Sequence, residues 1–148
     1  MSSLEEQLNR AVAELQLLEQ LINETRTRLS TLQALAVEYE GALSFLEELS
    51  KNTSTMKILV PIGGGNYIHA EVVDGQKVEV SVGAGVIVTK TIQEGKEMIE
   101  KRKANIIQLI QSYEQRLEQF LRRENELRSI IGALSAQIRE KEARGIRG

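Results

Sequence analysis

From Leu4 onward, apolar residues recur at alternating steps of four and three: Leu4, Leu8, Ala11, Leu15, Leu18, Ile22, Leu29, Leu32, Ala36, Tyr39, Leu43 and Leu46, with Thr25 the one polar member of the series. This is an a/d heptad seam, and it predicts a helix over 4–50 that buries one stripe against a partner helix. The stepping returns in the second half as Ile106, Ile110, Tyr113, Leu117, Phe120, Leu127, Ile131, Leu134 and Ile138, with Glu124 as the polar member. Extended backwards it reaches Lys103, Ile99, Lys96 and Ile92, so a second helix is predicted over 91–141, followed by a flexible tail at 142–148. No proline interrupts either helix. Gly41, Gly95 and Gly132 are the weak points, each costing about 1 kcal/mol against alanine.

The two seams mirror each other. Positions whose numbers add to 142 pair throughout: Leu4 with Ile138, Leu8 with Leu134, Ala11 with Ile131, Leu15 with Leu127, Ile22 with Phe120, Leu29 with Tyr113, Ala36 with Ile106 and Leu43 with Ile99. Every step of four on one side meets a step of four on the other, which is the register of an antiparallel hairpin. Pairing with a second chain, as in a swapped dimer, stays open on this pattern. Thr25 and Glu124 face apolar partners and read as local soft spots. Lys96 and Lys103 face Leu46 and Tyr39, where their stems cover apolar surface while the charged heads reach water.

Between the helices, 56–90 changes character. Short alternating runs (Ile58-Leu59-Val60, Tyr67–Val73, Lys77–Val82, Val86–Thr89) predict four strands. Asp74-Gly75 reads as a tight type I′ hairpin turn, and Gly63-Gly64-Gly65 and Gly83-Ala84-Gly85 as the other bends. Pro61 lacks an amide donor and suits an edge, a bulge or a strand end. Four short strands leave unpaired edges and cannot bury a core alone. The insert is therefore expected to be an assembly module in which several copies close their sheets together. Its candidate oligomerisation residues are Ile58, Val60, Ile62, Val72, Val78, Val80, Val82, Val86 and Val88. The fold class expected is α+β, mainly α.

Composition then removes several kinds of chemistry. The 148 residues hold no Cys, which excludes disulfides, thiolate metal sites and cysteine nucleophiles and fits a reducing cytosol. Aromatic residues make up only 3%, few for a compact core of this size. The start MSSLEEQLNR lacks the basic end and apolar run of a signal peptide, and no stretch approaches the ~18 apolar residues of a membrane span. A net charge of −2 gives no basic footprint for nucleic acid. The first helix carries nine acids and three bases and the second eight acids and ten bases, so the two attract modestly. The triple glycine opens onto a strand and lacks the Lys-Ser/Thr of a phosphate loop. His69 has no Cys or His partner for a metal site. Glu47-Glu48 and Glu97/Glu100 lie on solvated helices rather than in a cleft. No catalytic residue, metal or cofactor is expected, no membrane or nucleic-acid partner, and the chain is read as a cytoplasmic protein that is not an enzyme.

The order long helix, insert beginning KILVPIGGGNYI, strand-turn-strand VVDGQKVEVSVGAGVIV, second helix opening TIQEGKEMIEKR resembles the alpha-type subunit of archaeal prefoldin. The resemblance covers nearly the whole chain as architecture and is specific at motif level in Lys57–Val88, chiefly in ILVPIG and VGAG-V. It implies a long antiparallel coiled-coil hairpin with two β-hairpins between the helices that build an oligomeric β-barrel. It further implies a hexamer with beta-type subunits, two alpha and four beta, that captures unfolded proteins without ATP and passes them to a group II chaperonin. Relatives that assemble as filaments exist, and a structural coiled-coil scaffold or filament subunit is the alternative. In the hairpin register both termini lie away from the insert. Leu4, Leu8, Val12, Ile130, Leu134 and Ile138 are thus the candidate client-binding residues at the tip. The four seam members among them serve equally as ordinary packing; Val12 and Ile130, off the seam, separate the two readings.

Overall fold

The computed structural model describes residues 3–52 and 55–147, with side chains to residue 145. The elements in order are α1 (Ser3–Lys51), β1 (Met56–Gly63), β2 (Asn66–Val72), β3 (Lys77–Gly83), β4 (Val86–Thr91) and α2 (Ile92–Arg147). The chain divides into two compact units, Met1–Gln33 with Leu109–Gly148, and Ala34–Gln108. They are called below the helix-end unit and the hairpin unit.

In the helix-end unit every seam residue is buried or half-buried, from Leu4 to Leu32 on α1 and from Ile110 to Ile138 on α2. Ala11, Leu18, Ile22 and Leu127 form the core, with Leu15, Leu117, Phe120, Leu121 and Ile131 packed around them. Thr25, expected as a soft spot, is buried with its hydroxyl donating to the Leu21 carbonyl at 2.7 Å. The hydroxyl is satisfied inside its own helix, so no unpaired polar group is left in the seam. Glu124 stays half-buried beside Arg128, 3.8 Å away. Arg123 grips Glu14 across the helices through Nε at 2.9 Å and Nη2 at 3.0 Å. Arg128 reaches Glu19 at 3.1 Å. The expected end of α2 at residue 141 is corrected. The helix runs on to Arg147, its last turns carrying an Arg144–Glu140 pair at 2.7 Å one turn apart.

In the hairpin unit, Leu46, Leu49 and Ile92 form the core, joined by Met56, Val72, Val78 and Ile99. The two seam lysines do more than reach water: Lys96 pairs with Glu47 and Lys103 with Glu40. These pairs, with Glu14–Arg123 and Glu19–Arg128, each join an acid of α1 to a base of α2, the polarity that the charge counts suggested. The hydrogen bond from Lys96 holds the Glu47 carboxyl below its usual range and raises Lys96 in turn. The Arg123 hydrogen bond lowers Glu14 likewise.

The strands form two separate two-stranded antiparallel sheets, β1–β2 and β3–β4. Residues 57–68 and 77–88 repeat at an interval of twenty: Lys57/Lys77, Ile58/Val78, Val60/Val80, Ile62/Val82, Gly63/Gly83, Gly65/Gly85 and Ile68/Val88. The backbone repeats with them. Each hairpin shifts register one residue before its turn, between Pro61 and Gly63 and between Ser81 and Gly83. Pro61 thus sits at a bulge, one of the places its missing donor allows. Each turn has two central residues at positive φ, Gly64 (61°) with Gly65 (79°) and Ala84 (52°) with Gly85 (77°), as a type I′ turn requires. The reading of Asp74-Gly75 as a tight hairpin is corrected: β2 and β3 do not pair. Asp74 Oδ1 instead accepts from the Gln76 amide at 3.1 Å, an Asx turn that links the two hairpins.

Thr91 closes β4 and caps α2, its hydroxyl accepting from the Glu94 amide at 3.2 Å. One turn later Gly95 is buried against β3. A Cβ there would collide with Val78 Cγ1 and lie 3.8 Å from Val80 Cγ2. What the sequence offers as a weak point is the place where α2 touches the second hairpin.

Gly95→Ala is expected to destabilise the chain by about 1–3 kcal/mol through overpacking, despite alanine's better helix propensity. A lowered denaturation midpoint at constant slope would show it, and an unchanged midpoint would refute the close contact. Glu14 and Glu47 are lowered from an ordinary value of 4.5, so their pairs stabilise the fold above that pH. That contribution is lost as pH falls through the lower, folded values. A thermal melt flat from neutral pH to about 5 and falling below ~4.5 is expected; Glu14→Gln with Glu47→Gln should flatten the fall.

Candidate functional site: apolar surfaces of the hairpins and the helix ends

The alternation of each strand fixes which side chains share a face. In the first hairpin one face carries Met56, Ile58 and Val60 opposite Val72, Ala70 and Ile68. All of these but Ile68 are half-buried, and Met56 and Val72 pack on the core of Leu46, Leu49 and Ile92. Its other face carries Lys57, Leu59 and Pro61 opposite Glu71, His69 and Tyr67, and all six are exposed. In the second hairpin Val78, Val80 and Val88 lie on the covered face, Val80 only 4% exposed. The outer face there is largely polar. Lys77, Glu79 and Ser81 lie opposite Thr91, Thr89 and Ile87, and Thr89 donates to Glu79 at 2.9 Å.

The candidate assembly residues therefore divide. Ile58, Val60, Val72, Val78, Val80 and Val88 are wholly or half covered within the chain, whereas Ile62, Val82 and Val86 at the turns are exposed. The sequence reading missed Leu59, Tyr67, Ile68, Val73 and Ile87, all exposed large apolar side chains, Val73 at 98%. The twenty-residue repeat carries the missing signal. Leu59 stands where the second copy has Glu79, so the outer face of the first hairpin carries Leu59, Pro61 and Tyr67 among its charged residues, whereas that of the second carries only Ile87 as an apolar member.

In the helix-end unit Leu4 shares a shallow groove with Gln137, Glu140, Lys141 and Arg144, which brings the start of α1 beside the end of α2. Of the six candidate client-binding residues only Ile130 is exposed, at 40%. Leu134 is buried, and Leu4, Leu8, Val12 and Ile138 are half-buried. Leu17 and Leu21, one turn apart on α1, are exposed as well.

His69 is exposed across from Leu59. Among the described residues no three His, Cys, Asp or Glu side chains gather as a metal site. No helix among them is long and apolar enough to cross a membrane. The arrangement offers apolar faces and open strand edges for contact with other chains.

Comparison with known proteins agrees with this architecture. The profile of the prefoldin family, described as "Prefoldin subunit", matches residues 18–137. The chain is 29% identical over 134 residues to the prefoldin subunit alpha of Thermofilum pendens, covering 90% of this chain and 93% of that one. It is 30% identical over 115 residues to the prefoldin subunit alpha of Methanococcoides burtonii, covering 78% and 83%. A filamentous prefoldin from Methanocaldococcus jannaschii, solved by cryo-electron microscopy, superposes with a TM-score of 0.62 at 22% identity, over 82% of this chain and 98% of that one. At that identity the likeness speaks to the fold.

Proposed function

Because the chain belongs to the prefoldin family and is of its archaeal alpha type, we propose that it works as an ATP-independent holdase subunit in the cytoplasm. It assembles through its hairpins with beta-type subunits, two alpha to four beta, captures unfolded proteins on its coiled coil and hands them to a group II chaperonin. The observation that carries the assembly step is the crowding of exposed apolar groups on the insert: Leu59, Ile62, Tyr67, Ile68, Val82 and Val86 among them. Each two-stranded sheet also has open edges, and isolated pairs of strands are marginal in water. Joining strands from several chains closes those edges and covers those groups; a shared β-barrel is the closure this reading takes.

Client capture rests on the exposed flank residues of the helix-end unit. Leu17, Leu21 and Ile130 are available without opening the seam. Burying one such side chain is worth about 1.5–3 kcal/mol before ordering costs, so one coil holds a client weakly and several together hold it by effective concentration. A second reading, a scaffold or filament subunit, is favoured by the repeat. Two like hairpins on one chain allow head-to-tail addition of further copies, which need not close.

Native mass of the chain alone and mixed with a beta-type subunit separates these readings: a discrete hetero-oligomer is expected, and open-ended growth of the chain alone would favour the filament. Ile62→Asp with Ile87→Asp should leave helicity intact and abolish the larger particle; an undisturbed particle would rule out assembly through the hairpins. Leu17→Asp with Ile130→Asp should cut protection of an aggregating client several-fold and leave native mass unchanged. Full protection by that variant would rule out capture by this surface.

A further inference from the structure

One flank of the helix-end unit carries a groove that neither assembly nor client capture accounts for. Thr27, Arg28, Thr31 and Leu32 of α1 and Leu109 and Tyr113 of α2 line about 290 Å³, with more apolar than polar surface. Leu109 is 47% exposed although it lies next to the seam. The Glu14–Arg123 pair fixes which residues face each other on this side. One heptad along, the same spacing sets Leu21 against Arg116, and one further sets Arg28 against Leu109. The flank thus reads, in order, a neutralised Glu–Arg pair, exposed Leu21 beside Arg116, then the groove with Arg28 on its wall.

The charge on this flank is unbalanced. α1 is acidic as a whole, yet residues 25–37 hold Arg26 and Arg28 and no acid, and residues 104–113 of α2 hold no charge at all. Among the described residues neither Arg28 nor Arg116 has an ion-pair partner, and Glu24, one turn before Arg28, does not pair with it. Arg116 rests instead over the Tyr113 ring, 5.1 Å from its centre. The other arginines that face across the helices, Arg123 and Arg128, are both held by glutamates. An apolar slot between two ridges, with two guanidinium groups nearby that have no carboxylate partner, is complementary to an apolar anchor set among carboxylates.

We propose that this groove docks an acidic amphipathic helix of a partner protein. One large apolar side chain of that helix enters between Leu32, Leu109 and Tyr113, one carboxylate beside it meets Arg28, and a second about two turns toward the Glu14–Arg123 end meets Arg116. A third helix laid along two others buries its stripe without disturbing their seam. The proposal is independent of client capture, which uses apolar contacts alone.

The test uses the full chain and three labelled helical peptides, followed by fluorescence anisotropy: one with a leucine anchor flanked by glutamates, one with lysines for the glutamates, and one with serine for the anchor. The acidic anchored peptide is expected to bind, more weakly as salt is raised, and each of the other two at least about tenfold less well. Arg28→Glu with Arg116→Glu should weaken it about tenfold or more, and Leu109→Ser, an exposed change on the other helix, should weaken it also. Helicity measured on both variants controls for folding. Leu17→Asp with Ile130→Asp should reduce client protection and leave peptide binding within about twofold, which keeps failure here distinct from failure of the holdase reading. Equal binding of the three peptides, or indifference to the arginine substitutions, would overturn the proposal. So would self-association of the chain that Arg28→Glu abolishes, since a second copy would then be the occupant.

Discussion

Two long helices joined by an insert must choose one register out of several that a heptad seam tolerates, and the rest of the structure depends on that choice. The apolar layers supply most of the energy, but a slip of one heptad would still set apolar against apolar. The polar members decide. In the register observed, Glu14 meets Arg123, Glu19 meets Arg128, Glu40 meets Lys103 and Glu47 meets Lys96. Slipped by a heptad, one seam lysine would meet the other's carboxylate and the second would lie half-covered with none, and an unpaired charge out of water costs several kcal/mol. A polar residue at an a or d position commonly specifies register at some expense of stability. Lys96 and Lys103 fit that role, with α1 supplying the acid each time.

Register also places the second hairpin. With Leu46 and Leu49 of α1 packed on Ile92, the first turn of α2 lies against β3, and the missing side chain of Gly95 lets Val78 and Val80 approach. The first hairpin enters the same core through Met56 and Val72, the residues paired at its open end. Two hairpins with one backbone frame thus meet different circumstances. One has Val78 and Val80 against the first turn of α2 and wears a largely polar outer face. The other meets the core through Met56 and Val72 and exposes Leu59, Pro61 and Tyr67 on its outer face, so it has more apolar surface for a partner chain to cover.

Much of this was legible in the residues. The heptad stepping gave both helices and their pairing, because each seam position takes part in burial that repeats with fixed period. The strands followed from alternation and from the glycine pairs. What was not legible has physical causes. Asp74-Gly75 has the composition of a tight turn but spends its side chain on an Asx turn, since the flanking strands pair elsewhere. Gly95 reads as a helix defect because propensity is local, whereas its contact with Val78 is not. The tail continues α2 because nothing in 142–147 forbids helix and Glu140–Arg144 supports it. The outer face of the first hairpin escaped because alternation was followed on one face only.

The same reasoning constrains how a coiled coil holds an unfolded chain. Seam residues such as Leu134 are already buried, and offering them to a client means first losing the layers that hold the helices together. Flank residues carry no such cost. Leu17 and Leu21 lie one turn apart on one face of α1, and Ile130 lies on α2 beside the seam rather than in it. In the proposed function a surface built this way would bind without melting, release readily because each contact is small, and gain strength only when several coils act on one client. On the proposed holdase reading, weak contacts multiplied by assembly would tie the two units into one mechanism: the hairpins would set how many coils act together, and that number would set how tightly a client is held.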